Sequence, residues 1–318
     1  MTLAVAALLL AALAAPHALR LERVAPTTAA TIWMSALLLR ALTAVFCAMF
    51  VVIYLPQTDL FRIVTHWCLH EVVPFLAIHL GLDGHRLGDF AVVAPAFFLA
   101  ASMLWVLFGV WRAARRVHRL LVRQAIGRGP GESLIVRGSE VFVAAAGLLR
   151  PAVLVSAGAL ATFDDEELAA SLEHEQGHIV HRHRFVLLAG EVCRAVGRPL
   201  PGTRRAAHEL AFHLERDADR FASGRHEPLA LASAICKAAT SPTFSAPATA
   251  LAGGAAVRRV QLLMGELPAA GARGEAAAGG LAALLVVLVI AAAALLPAAA
   301  HAGYHGASGT ANVRHCAS

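Results

Sequence analysis

Four long apolar runs are the strongest constraint on how this 318-residue chain can fold. A run of roughly 20 apolar residues spans a bilayer as a helix, because only helices and closed barrels satisfy every backbone hydrogen bond there. The chain is 58% hydrophobic and only 15% charged, which excludes an ordinary soluble domain. The sequence therefore predicts a mainly α membrane protein with about four transmembrane helices. The runs cover about residues 2–18, 31–55, 90–111 and 281–300.

The domain order follows from the positions of these runs. Residues 1–111 are predicted to form three transmembrane helices, with an exterior loop at 56–89. A folded α+β domain at 129–277 lies between the third and the fourth helix, and an exterior tail at 301–318 follows the fourth. The first run could instead be a signal peptide, but it lacks a positive N-terminal region, so a helix with an exterior N-terminus is favoured.

Arginines next to the apolar runs predict the orientation in the cell membrane. A basic amphipathic helix at 112–128 suits an anionic cytoplasmic surface, which places the domain at 129–277 in the cytoplasm. Arg40, within the second run, is expected to extend toward that surface. The net charge of +6 fits this topology, so membrane lipid is an expected partner and nucleic acid is not. The arginines of the basic helix are Arg112, Arg115, Arg116, Arg119, Arg123 and Arg128.

Within the domain, three short β-rich runs at 133–137, 141–146 and 152–156 predict a small antiparallel sheet. Most of the remaining domain is predicted to be helical. The segments 241–250 and 268–280 are rich in Ala, Gly and Pro and are expected to be flexible connectors.

The most informative motif is His-Glu-x-x-His at His174, Glu175 and His178. Acidic residues after Asp164 and apolar residues at helical spacing predict a helix from about Asp165 to His183. Two histidines one turn apart can bind one metal ion, and Glu175 then lies beside a metal-bound water. The alternative is a chance pattern on a solvated helix face. His181 and His183 fall off this face and are expected to contact solvent or membrane.

A third ligand is needed for a zinc hydrolase site, which usually has three protein ligands and one open position. We favour Glu215 on a second helix, with Asp219 one turn later orienting a zinc-binding histidine through its other ring nitrogen. Glu215 could also be a surface acid paired with a neighbouring arginine. His208 and His213 are rival ligands on the same helix. The loop 197–202 is predicted to join the two zinc-binding helices.

These motifs together resemble membrane-embedded gluzincin metallopeptidases. His-Glu-x-x-His followed by Glu215-x-x-Ala218-Asp219 is similar to the HtpX-like and CaaX-prenyl-protease-like group (M48) and to the BlaR/MecR-type transducers (M56). The run 141–158 resembles the strands that these families place before the zinc helix, and 259–263 is similar to a downstream segment. The resemblance covers about residues 133–263 and implies a zincin-type domain.

The resemblance implies an integral-membrane zinc endopeptidase with one Zn²⁺ per chain and a protein or peptide substrate. It would act in regulatory proteolysis or in the quality control of membrane proteins. Glu175 would be the catalytic base, and His226 and Arg259 are possible donors to the transition state. The strand at 141–146 either pairs with an extended substrate or only supports the zinc helix. After the fourth run only the tail 301–318 remains, so an exterior penicillin-binding sensor is not expected.

A different class of function also fits the sequence: a non-catalytic signal transducer or scaffold with a structural zinc. Glu175 discriminates between the two, because a structural site needs no base and usually has four protein ligands. The five cysteines form no Cys-x-x-Cys pair. Cys68 and Cys316 are both expected outside the cell, where a disulfide or a metal clip could join them, or where they could remain free thiols.

Overall fold

The protein is mostly helical, with one small sheet. The computed structural model describes residues 2–53, 94, 97–98, 100–109, 111–112, 115, 125–147, 150–240, 249–265 and 270–311. The helices there are α1 (Thr2–Ala18), α2 (Pro26–Ile53), α3 (Ala157–Thr162), α4 (Asp165–Val180), α5 (His183–Val196), α6 (Thr203–Ser223), α7 (Pro228–Ala239), α8 (Thr249–Leu263) and α9 (Ala272–Ala311). The strands are β1 (Ala125–Arg128), β2 (Leu134–Val136), β3 (Val143–Ala146) and β4 (Ala152–Ser156).

The sheet is mixed, so the prediction of a purely antiparallel sheet was wrong. Its strand order is β1-β2-β4-β3. Strands β3 and β4 form an antiparallel pair, and this pair docks on β2 through β4, which runs parallel to β2. Gly147 follows β3 with a φ of 98°, a conformation that favours glycine. Since β4 occupies the inner position, β3 is left at the edge of the sheet.

The sequence that begins α4 explains where this helix starts. Asp164 accepts hydrogen bonds from the backbone N–H groups of Glu166 and Glu167, and Glu167 Oε2 accepts one from Asp164 N at 2.9 Å. This capping box satisfies backbone donors that a helix start leaves free. Glu167 also contacts Lys237 Nζ on α7 at 2.6 Å, so the same carboxylate joins two helices.

Helix α4 ends earlier than predicted, at Val180. Arg182 has the left-handed conformation (φ 56°), and α5 begins at His183. The predicted single helix to His183 was therefore wrong at its end. As a further consequence, the loop 197–202 joins α5 to α6 and does not directly follow α4, the helix that carries the motif.

The largest apolar core joins α2 to the domain that carries the motif. Leu37 of α2, Leu210 of α6 and Leu285 of α9 are fully buried in one cluster. Each such leucine contributes about 1.5–3 kcal/mol by its burial. The helix that carries Glu215 therefore packs against the apolar N-terminal helices.

Arg40 does not extend to a membrane surface, so that prediction was wrong. Its side chain is only 2% exposed. The guanidinium donates to the carbonyl oxygens of Leu13 at 2.8 Å and Pro201 at 3.3 Å, and lies 2.9 Å from His17 Nε2. Carbonyl oxygens of α1 and of the loop before α6 thus replace water around this charge. The sequence of α2 alone does not indicate these partners.

Among the described residues, two helical segments are long and apolar enough to cross a membrane: Pro26–Val51 and Ala272–Leu295. Two shorter apolar segments, Leu9–Ala18 and Ala100–Gly109, lie within the first and third predicted spans. Two candidate membrane helices are therefore present, while the count of four and the domain boundaries remain predictions.

Several predicted boundaries change. Residues 125–128 of the predicted basic helix form strand β1, and the predicted connector at 268–280 is helical from Ala272 onward. Helix α9 also continues through 301–311, which was expected to be a tail. The exterior loop 56–89, residues 312–318 and both Cys68 and Cys316 lie outside the described residues.

Candidate metal centre

Helices α4 and α6 bring the three predicted ligands together. His174 Nε2 and His178 Nε2 lie 3.2 Å apart. Glu215 Oε2 lies 3.5 Å from His174 Nε2, and Glu215 Oε1 lies 3.4 Å from His178 Nε2. Ligands around a tetrahedral zinc with bonds of about 2.0–2.1 Å are about 3.3 Å apart. The spacing and the chemistry of this His₂Glu set therefore fit a zinc ion.

Gly177 explains how the two helices approach closely enough. A Cβ atom at this position would lie 3.2 Å from Phe221 Cβ and 3.3 Å from Ala218 Cα on α6. Ala218 is fully buried. The glycine within His-Glu-x-Gly-His and the alanine within Glu-x-x-Ala-Asp thus form the crossing point of α4 and α6.

Asp219, which was predicted to orient one of the two histidines, lies beside His174. Its Oδ1 is 3.0 Å from His174 Nδ1, on the side of the ring opposite the ligand atom. Arg259 of α8 donates to both oxygens of Asp219, at 2.8 and 2.6 Å, and its Nη1 lies 2.8 Å from Glu215 Oε2. One buried guanidinium therefore fixes the two carboxylates relative to each other.

The charges of the site suit metal binding. Burial alone would raise the pKa of Glu215, but its hydrogen bond to His174 and the charge of Arg259 outweigh burial and hold the pKa far below its usual value. Burial lowers the pKa of His178 to about 4, so this imidazole is neutral at physiological pH. Burial also opposes the charged form of His174, but contacts with Asp219 and Glu215 raise its pKa to about 9. A metal ion must therefore displace a proton from His174.

Glu175 lies at the boundary between α4 and the edge strand. Its Oε2 accepts a hydrogen bond from Ala145 N of β3 at 2.6 Å. Burial raises the pKa of this carboxyl group, while the charge of His174 and the bond from Ala145 partly offset the effect. A carboxylate with a raised pKa binds a proton more readily, as a general base must.

A cavity of about 340 Å³ opens beside Glu175, His174, Glu215 and Arg259. Its other walls are mainly apolar, with small alanine side chains from α7 and α8 that leave room for a bound group. These wall residues are Val143, Phe163, Leu231, Ala234, Ile235, Ala238, Ala239 and Ala256, with Ser171 on α4.

The rival and secondary residues are placed elsewhere. His213 is fully buried, and its Nδ1 lies 2.9 Å from Arg216 Nη1 instead of near the other ligands. His208 lines a separate cavity between α5 and α6. His226 follows α6 and does not line the cavity at Glu175, whereas Arg259 does.

The expectation that His181 and His183 contact solvent or membrane was wrong for His183. His183 is only 3% exposed. Its Nδ1 lies 2.9 Å from His178 Nδ1, and its Nε2 lies 3.1 Å from Asp217 Oδ2. His181 retains 39% side-chain exposure, and its Nδ1 lies 2.5 Å from the same oxygen. The sequence offered a signal for this group, because two further histidines follow the motif and Asp217 lies near Glu215. If α4 continued as a regular helix, however, its spacing would place these histidines away from His178.

Residues 112–198 match the model of Peptidase family M48. The matched segment contains His174, Glu175 and His178 and ends before α6, so Glu215, Asp219 and Arg259 lie beyond it. The M48 resemblance is thereby confirmed, and the M56 alternative gains no support. The match implies metallopeptidase activity and a protein substrate. A search of curated proteins and a search of solved structures gave no match.

Proposed function

We propose that the chain is an integral-membrane, zinc-dependent endopeptidase that cleaves a cytoplasmic or membrane-proximal protein. The observation that carries this proposal is a pair of imidazole nitrogens 3.2 Å apart, each 3.4–3.5 Å from an oxygen of Glu215, with a second carboxylate, Glu175, beside them. A purely structural site would be expected to use four protein ligands and to need no such neighbour. Regulated cleavage or membrane-protein quality control are the processes in which it would act.

In this proposal His174, His178 and Glu215 hold one zinc ion. When bound, zinc supplies a Lewis acid for the scissile carbonyl and lowers the pKa of water from about 15.7 to about 7. Glu175 takes the proton from the attacking water and passes it to the leaving amine. Asp219 keeps His174 in the tautomer that presents Nε2 to the metal, and Arg259 holds Asp219 and Glu215 in place.

The proposed substrate site is the edge strand β3. Phe142 O accepts from Ser156 N of β4 at 3.1 Å, so alternate residues of this strand direct their backbone groups toward β4. Val143 and Ala145 direct theirs the other way, toward Glu175 and the cavity. An extended peptide could pair with these groups by β-augmentation. Ala145 N now contacts Glu175, so substrate binding would release that carboxylate for its role as a base.

The proposed topology places the catalytic domain in the cytoplasm. Helices α2 and α9 begin side by side, since Ala25 N donates to Glu275 at 2.9 Å and Ala270 N donates to Arg23 O at 2.7 Å. Leu37 of α2 and Leu285 of α9 also share one apolar cluster, so the two helices run in the same direction, as an alternation of four spans requires. Arg20, Arg23 and the arginines after residue 111 mark this side as cytoplasmic. Leu284, Val287 and Ile290 of α9 are exposed and suit lipid contact.

Glu175→Gln tests the enzymatic proposal. This variant removes the base but no metal ligand, so it should keep its zinc and lose proteolysis by at least about a hundredfold. Purified wild type, Glu175→Gln and His174→Ala would be compared for zinc content and for cleavage of an unfolded protein substrate. His174→Ala should lose both properties. Undiminished cleavage by Glu175→Gln would refute the enzymatic proposal, and loss of zinc in that variant would show that the ligands are misassigned.

A further inference from the structure

A line of hydrogen-bonding side chains runs from the second metal-facing histidine to the surface. His178 directs Nε2 toward His174 and Glu215, and its other ring nitrogen faces His183 Nδ1 at 2.9 Å. His183 Nε2 faces Asp217 Oδ2 at 3.1 Å, and Asp217 also contacts the half-exposed His181. His183 and Asp217 are only 3% and 7% exposed, so water has little access to the middle of this line.

The positions of the protons in this line follow from the metal end. If His178 Nε2 binds zinc, that nitrogen carries no proton, and the ring proton resides on Nδ1. His178 Nδ1–H can then donate only to an unprotonated His183 Nδ1. The proton of neutral His183 therefore resides on Nε2 and is donated to Asp217, because a carboxylate only accepts. One arrangement of protons satisfies every contact.

The same three side chains His181, His183 and Asp217 have the residue types of a second metal site, but their geometry argues against one. A single oxygen, Asp217 Oδ2, lies 2.5 Å from His181 and 3.1 Å from His183, distances typical of hydrogen bonds. The donor atoms of the first group are 3.2–3.5 Å apart, as ligands are. A metal on His183 Nε2 would also shift its proton to Nδ1, directly opposite the N–H of His178.

The backbone explains why the line exists. Arg182 adopts the left-handed conformation between α4 and α5, and the chain reverses so that His183 returns toward His178. Asp217 lies two positions after Glu215 on α6, on a face turned away from the metal ligands. Helix α6 therefore supplies one carboxylate to the candidate metal centre and another to the group that supports it.

We propose that His183 is a positioning residue for the metal centre: through its Nδ1 it orients His178 and fixes the tautomer that binds zinc, while Asp217 fixes the tautomer of His183. The proposal rests on the proposed function, since it assigns to His178 the role of a zinc ligand. It gives His178 a support different from that of His174, which faces a carboxylate directly.

The test is a set of substitutions at His183 that separate its two nitrogens. His183→Asn keeps an acceptor near the Nδ1 position, whereas His183→Gln extends its amide toward the Nε2 position, and His183→Leu removes both. Zinc affinity would be measured by chelator competition, without substrate. The Gln and Leu variants should bind zinc about 10–100-fold more weakly than wild type, the usual effect of losing a contact to a ligand histidine. His183→Asn should lie close to wild type.

Three further measurements on the same variants complete the test. The absorption spectrum of the Co²⁺-loaded protein should change in His183→Leu and be retained in His183→Asn. Thermal unfolding of the metal-free variants measures stability separately from zinc affinity, because His183→Leu also removes a partner of the buried Asp217. His174→Ala should abolish high-affinity binding; if it does not, the proposed metal centre itself is wrong, whatever His183 does.

The proposal would be overturned if His183→Leu bound zinc like wild type, or if His183→Asn lost as much affinity as His183→Leu. It would also be overturned by a second zinc per chain that disappears in His181→Ala, because the group would then be a metal site. His181→Ala is otherwise expected to leave affinity and stoichiometry unchanged, since its contact with Asp217 lies at the exposed end of the line.

Discussion

Two groups of the same composition, each with two histidines and one carboxylate of α6, lie side by side near the end of α4. In the first group the donor atoms are held 3.2–3.5 Å apart around a common point. In the second, one carboxylate oxygen lies between the two rings at 2.5 and 3.1 Å. The first group consists of His174, His178 and Glu215, and the second of His181, His183 and Asp217. Residue type alone therefore does not define a metal site; the spacing and direction of the donor atoms do.

The two groups also differ in how their carboxylates are held. Glu215 contacts Arg259, whose buried guanidinium keeps it ionised and leaves its oxygens directed at the histidines. Asp217 has no arginine contact of this kind among the described residues, and its charge is balanced by hydrogen bonds from two imidazoles. In the first group, two imidazole nitrogens remain available to bind a cation. In the second group, both imidazoles donate their N–H groups to Asp217.

The largest contrast is expected between the two carboxylates. Glu215→Ala removes a ligand and should weaken zinc binding on the order of a thousandfold, since structural zinc sites derive about 10–16 kcal/mol from a complete ligand set. Asp217→Ala should weaken it by no more than about tenfold, because it acts only through His183. Chelator competition on both variants decides this. Equal losses would erase the distinction between the groups.

Asp219→Ala should have an intermediate effect. It removes the partner of His174 Nδ1 and leaves Arg259 with one carboxylate contact fewer, so zinc affinity should fall about 10–100-fold. Asp219→Asn keeps an oxygen that can accept from His174 and should lose less. A loss as large as that of Glu215→Ala would mean that Asp219 is itself a ligand.

The pH dependence of zinc binding should be set by the protonation of His174, in the first group. Below pH 9 zinc must displace the His174 proton, so affinity should rise about tenfold per pH unit and level off above pH 9. His178, with a pKa lowered to about 4, adds no dependence in this range. The stability of the metal-free protein has the opposite pH dependence. The raised pKa of His174 stabilises the fold at low pH, and this contribution is lost as pH rises toward 9. Affinity that is constant from pH 6.5 to 9 would contradict the assignment.

The smallest expected effect is a change in the free energy of unfolding caused by a substitution at the crossing of α4 and α6. Gly177→Ala places a Cβ atom 3.2 Å from Phe221 and 3.3 Å from Ala218 Cα, so α4 and α6 must separate slightly. Such overpacking costs about 1–3 kcal/mol. Chemical unfolding of the metal-free variant measures it, with Gln176→Ala, an exposed neighbour, as the control. Alanine favours a helix over glycine by about 0.5–1 kcal/mol, so a Gly177→Ala variant more stable than wild type would show that the crossing is not tightly packed.

The residues of the first group and Asp219 could be located from the sequence because they form two pairs, each within one helix. His174 and His178 are four apart, as are Glu215 and Asp219, and a helix places such pairs on one face whatever the rest of the chain does. The second group depends on the left-handed conformation of Arg182, a non-glycine residue whose sequence context does not announce a turn. The structure therefore adds His183 and Asp217 where sequence periodicity ends.

Other features that differ from the sequence-based predictions also depend on contacts between distant segments. Strands β2, β3 and β4 were located to within a few residues, whereas β1 lies in the predicted basic helix and was missed. The parallel pairing of β2 with β4 is a long-range choice. Burial of Arg40 depends on carbonyl oxygens of Leu13 and Pro201, which are far apart in sequence. Local patterns were predictable here, whereas the long-range partners of Arg40 and of β4 were not.

The most direct test of the account is the zinc X-ray absorption spectrum of the protein loaded with excess zinc and then washed. One zinc per chain is expected, bound by two imidazole nitrogens at about 2.0–2.1 Å and by oxygen for the remaining ligands. The spectrum should lose an imidazole in His178→Ala and should not change in His181→Ala. Two zinc ions per chain, or a site with three or four imidazoles that responds to His181→Ala, would contradict the central claim that only the first group binds the metal.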